Sequence, residues 1–64
     1  METIYLIMVK TTFSDGTSST IPIYADRTEE NARKDCIRLQ INHNKQNYKT
    51  FKEIYFYERI NLYK

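Results

Sequence analysis

Sixty-four residues, ten basic and eight acidic, with one cysteine, one glycine and one proline, make one small domain (residues 1–64) with room for a thin core. Cys36 alone excludes an intramolecular disulfide, and a four-ligand structural zinc site is out of reach. A net charge of +2 is too weak to argue nucleic acid from charge by itself.

The first apolar stretch, Ile4 to Val9, has no basic residues ahead of it. It is too short for a signal peptide or a membrane span. Thr3 to Thr12 reads as a strand with Ile4, Leu6 and Met8 on one face and Tyr5, Ile7 and Val9 on the other. Apolar residues on both faces predict a central strand. Ser14-Asp15-Gly16-Thr17 is a hairpin turn signal. Ser18 and Ser19 follow it, so the loop is expected to exceed two residues. A second strand runs from about Thr20 to Ala25, with Ile21, Ile23 and Ala25 on one face. Pro22 lacks an N–H and places this strand at a sheet edge.

Asp26-Arg27-Thr28-Glu29-Glu30 opens a helix. Thr28 is the favoured N-cap and Asp26 the competitor. The helix is expected to end near His43 or Lys45. Ala32, Cys36, Leu39 and His43 form one stripe along it. Ile37 and Ile41 lie off that stripe, so either the buried face is wide or the two contact a partner; the wide core face is slightly preferred. Thr50 to Tyr63 forms the last strand.

Connection rules give an α+β fold, β-β-α-β. Its three-stranded antiparallel sheet has order 2-1-3, with the helix on one face. The last strand sorts its side chains sharply. Ile54, Phe56, Glu58, Ile60 and Leu62 alternate with Tyr55, Tyr57, Arg59, Asn61 and Tyr63. The aliphatic side is expected to seal the core. The Tyr/Arg side, joined by Tyr5 or Tyr24, is expected to meet a partner, since such faces suit recognition. The strand's edge is long and carries only Glu58 and Arg59 to blunt it, which invites pairing with a second copy into a continuous sheet. Glu58 interrupts the aliphatic side and needs exposure or a partner, with Lys10 and Arg38 the candidates.

No reactive constellation emerges. Cys36 and His43 share a helix face two turns apart, about 10 Å along the axis, too far for a nucleophile and its base. Cys36 reads as a small core hydrophobe. The carboxylates form no spaced acid/base pair, one glycine cannot cradle a phosphate, and no metal or cofactor is called for. The helix charges alternate in sign, with Glu29–Arg33 and Glu30–Lys34 as i, i+4 pairs.

Ile, Lys, Asn and Tyr supply 25 of the residues, a composition associated with AT-rich coding in phages and mobile elements of low-GC bacteria. Three further features are the opening strand Tyr5–Val9, the turn Ser14–Thr17, and the Ala25–Ala32 segment that reads Ala-Asp-x-Thr-Glu-Glu-x-Ala. With the Tyr-rich close Ile54–Leu62, they resemble a loose group of very small phage and prophage proteins. That resemblance implies no catalytic residues. It implies a role in binding, since several proteins of this kind block host defence.

The expectation is therefore a non-enzymatic, cytoplasmic interaction module, a homodimer that also occludes a host protein. The lone free thiol suits the reducing cytoplasm. Its contacts are expected at Tyr5, Ile37, Ile41, Tyr55, Tyr57, Arg59 and Tyr63. The alternative is nucleic-acid binding by base stacking on the tyrosines of the sheet.

Overall fold

A computed structural model describes residues 2–46 and 51–62. Two long strands, β1 (Glu2–Phe13) and β2 (Ser18–Asp26), form a hairpin. The helix α1 (Glu29–Gln46) follows, and β3 (Phe51–Leu62) closes the chain. The sheet is antiparallel in the order β2-β1-β3, as the connection rules require.

The turn explains its own sequence. Phe13 N–H donates to the Thr17 carbonyl at 2.8 Å, and Gly16 N–H donates to the Phe13 carbonyl at 3.0 Å. Gly16 takes a φ of +91°, a conformation that side chains with a Cβ resist. Asp15 Oδ1 accepts from both the Thr17 amide and the Thr17 hydroxyl, at 2.9 and 2.7 Å. These bonds hold the Asp15 carboxyl below its ordinary pKa range. The loop exceeds two residues, and the strands resume pairing at Thr12 and Ser18.

Pro22 does lie on an edge strand, but β2 does not keep one apolar face. A β-bulge beside Ile7 leaves Ile23 unpaired: Tyr24 lies opposite Ile7, and Pro22 opposite Met8. Ile21 then pairs with Val9 and Ala25 with Leu6, so the bulge sends them to opposite sides.

Thr28 is the N-cap, its hydroxyl accepting from the Asn31 amide at 3.2 Å. Glu29–Arg33 and Glu30–Lys34 pair at 3.5 and 3.2 Å on the solvent side of the first turns. The helix runs slightly past the expected end, to Gln46.

Among the described residues the core consists of Ile7, Val9 and Ala32, all buried. Ile7 and Val9 lie on the odd-numbered face of β1, so that face meets the helix. The stripe Ala32, Cys36, Leu39 and His43 is turned inward, buried or half-buried along its length. The wide core face is not formed: Ile37 and Ile41 stand on the outer side of α1, 55% and 48% exposed. The helix sits toward β3, which leaves Ile21 exposed on β2 although it shares the helix-side face.

Candidate functional site

Register fixes the chemistry of both sheet faces. On the helix side, β1–β3 pairing sets Tyr5 opposite Arg59, Ile7 opposite Tyr57, and Val9 opposite Tyr55. Tyr55 and Tyr57 are half-buried on this side, and the Tyr5 and Tyr57 rings meet edge to face with centroids 6.1 Å apart. This overturns the expectation that the phenols of β3 face outward while its aliphatic side seals the core. The stripe of α1 begins with the small side chains Ala32 and Cys36. Large rings fill the space beneath such a stripe, and phenols can do so while keeping a polar tip at the rim. Of the expected contact residues, Tyr5, Tyr55 and Tyr57 therefore serve the interior. Arg59 is exposed on the same side. Ile37 and Ile41 are exposed on the outer face of the helix, and Tyr63 lies outside the described residues.

The edge of β3 also departs from expectation. Gln40 reaches across from α1, its amide donating to the Glu53 carbonyl at 2.8 Å and its oxygen accepting from the Tyr55 amide at 3.1 Å. His43 Nε2 accepts from the Glu53 amide at 3.1 Å. His43 Nδ1 lies 3.0 Å from Glu53 Oε1. The Tyr55 hydroxyl donates to the same Glu53 oxygen at 3.1 Å. Two helix side chains thus imitate a fourth strand along the first half of β3. That half of the edge is taken, and a second copy cannot add to its whole length as a strand.

A second polar cluster joins α1 to β2. Arg38 Nη2 lies 3.3 Å from Asp35 Oδ1 and donates to the Tyr24 hydroxyl at 3.4 Å. Asp26 sits beside Asp35. Their shared hydrogen bond, then burial, raises the Asp26 pKa. Accepting from Asp26 and Tyr24, with Arg38 alongside, lowers that of Asp35. Burial, and then the hydrogen bond to Asp35, push the Tyr24 hydroxyl up. Cys36 is raised as well, by burial first and then by Asp35 and Asp26, which keeps it a thiol. The cluster ties the helix to the sheet, and among the described residues no group of three or more acidic, His or Cys side chains could hold a metal ion.

Among the described residues, no helix covers the other face of the sheet. Its β1–β3 cross-strand rows read Glu2/Leu62, Ile4/Ile60, Leu6/Glu58, Met8/Phe56, Lys10/Ile54 and Thr12/Lys52. Pro22 and Ala25 extend it onto β2. Ile54 is 57% exposed, and Ile4, Leu6, Met8, Phe56 and Ile60 are covered only in part. Glu58 is exposed opposite Leu6, and neither Glu58 nor Lys10 joins the ion pairs formed among the described residues. A large exposed apolar patch on a small domain is a candidate interaction surface. Reasoning from the sequence did not single this one out. The signal was there in Ile4, Leu6 and Met8 paired with the even residues of the last strand, but those residues were assigned to the core.

Comparison with protein-family models, curated proteins and solved structures finds no match, so the reading rests on the chain's own residues. No helix among the described residues is long and apolar enough to cross a membrane.

Proposed function

We propose that this chain is a non-catalytic protein-interaction module whose working surface is the open aliphatic face of its sheet. The observation that carries the reading is the run of rows from Ile4/Ile60 to Lys10/Ile54, apolar apart from Glu58 and Lys10 and uncovered by the helix. Leaving such a surface in water costs about 25 cal/mol for each Å² of apolar area, which a protein partner recovers on binding. The resemblance to small phage proteins supports a role in binding rather than in transforming a substrate. Base stacking on Tyr55 and Tyr57 is the weaker reading, because the rings it needs are half-buried on the helix side.

Site-specific photocrosslinking tests the module. A benzophenone side chain replaces Ile54 on the open face or, as control, Lys34 on the helix surface. Irradiation of the purified protein and of a bacterial lysate containing it is expected to give discrete protein adducts from position 54 and none above background from position 34. No adduct from position 54 in either setting would overturn the proposal.

A further inference from the structure

The open face has a polarity along the strands. Glu2 and Glu58 lie toward one end; Lys10 and Lys52 lie toward the other. All four are exposed; Glu58 and Lys10 stand one row to either side of Met8/Phe56, and Glu2 and Lys52 lie at the two ends. This layout is self-complementary about one kind of two-fold axis and not another. An axis parallel to the strands would stack acid on acid and base on base. An axis across the strands, in the plane between two sheets, reverses one copy and sets the acidic end of each over the basic end of the other. With that axis near the Met8/Phe56 row, Glu58 lies within a side chain's reach of Lys10 in the second copy.

The face is long: β1 and β3 pair without a break from Glu2/Leu62 to Phe13/Phe51, about 40 Å at ~3.4 Å per residue. Two such sheets pack face to face about 10 Å apart, with strands some 30° from alignment. The competing mode, extension of the sheet through β3, is obstructed by Gln40 and His43 on the edge. The other strand edge, β2, carries Pro22 and a bulge.

We infer that the occupant of the open face is a second copy of this chain, packed sheet on sheet in a two-fold dimer with reversed strand direction, Glu58 of each copy facing Lys10 of the other. The inference rests on the proposed interaction face and adds the partner and its orientation. A closed two-fold contact of this kind uses one patch twice and leaves the outer helix surface, with Ile37 and Ile41, free.

Sedimentation equilibrium on the purified chain reads the inference directly, with far-UV circular dichroism to confirm that each variant is folded. The wild type is expected to have the mass of a dimer. Phe56→Glu, near the axis, is expected to give a folded monomer. Glu58→Lys and Lys10→Glu, each placing like charges together, are each expected to weaken the dimer about tenfold, and the double variant to recover most of that loss. A monomeric wild type at high micromolar concentration overturns the second copy. If benzophenone at position 54 still captures other proteins, the interaction module survives that result; if it captures nothing, both readings fall. A dimer that tolerates Phe56→Glu overturns the face, and a double charge swap without recovery overturns the reversed orientation.

Discussion

The face of the sheet beneath α1 and the face turned away from it carry different kinds of apolar surface. Beneath the helix lie Ile7 and Val9 flanked by phenols, with hydroxyls and amides meeting Glu53, Asp35, Arg38 and Gln40 at the rim. On the open side lie Ile4, Leu6, Met8, Ile54, Phe56 and Ile60, which have no hydrogen-bonding tips at all. An amphipathic ring can border both protein and water. A branched aliphatic gains only by leaving water. The finished interior thus took the residues that could live at a wet boundary, and the unfinished surface kept those that need a dry one.

The sharpest way to break this contrast is to cut matched positions on adjacent residues of β1. Ile7→Ala is expected to cost about 2–5 kcal/mol in denaturant unfolding, because Ile7 is fully buried under α1. Leu6→Ala, one residue away on the open face, is expected to cost the fold less than half as much while weakening self-association. Equal destabilisation in monomeric conditions would show that the open face is closed within the single chain.

Next in size is the helix's hold on the β3 edge. Gln40→Ala removes both the donor to the Glu53 carbonyl and the acceptor for the Tyr55 amide. The expected loss is about 1–2 kcal/mol, with faster hydrogen exchange at the Tyr55 amide. An unchanged exchange rate would mean that the edge is held by something other than Gln40.

The strand order, the N-cap at Thr28, the i, i+4 pairs and the edge position of Pro22 were legible in the sequence because each depends on local rules. The side of the sheet that the helix chose was not. Alternation sorts Ile54 from Tyr55 but leaves open which set faces inward, and preference for aliphatic interiors pointed to the wrong one. Two facts reversed it. Ala32 and Cys36 leave a shallow helix face that suits large rings, and Gln40 and His43 lock onto β3 at Glu53 and Tyr55. The bulge beside Ile7 was equally silent, since nothing in Ile21 to Ala25 announces where the extra residue falls. The phenols of β3 were therefore assigned to the outer side, and the structure places them beneath the helix.

A smaller effect concerns Cys36, on the helix stripe facing the sheet. Burial raises its thiol pKa, so alkylation near neutral pH is expected to run slower than for a free cysteine and to reach the free rate on unfolding. Fast labelling of the native protein would mean that the helix stripe is open to solvent.

The smallest expected effect separates the two carboxyls that tie α1 to β2. The Asp26 pKa is raised in the folded protein, so the fold binds that proton more tightly than the unfolded chain does. Its contribution is complete in acid and is lost as pH rises through the folded value. Asp35, with its pKa lowered, works oppositely: its contribution is present above the ordinary carboxylate range and is lost as pH falls through the folded value. Asp26→Asn removes the first of these while its amide can still donate to Asp35. The variant is expected to melt about 1–3 °C above the wild type at neutral pH, a modest gain because the groups are solvated. The gap should close on acidification, where wild-type Asp26 holds its own proton. A variant that melts lower than the wild type at neutral pH would show that Asp26 acts there as a needed anion, with Arg38 as the cation that acts on it.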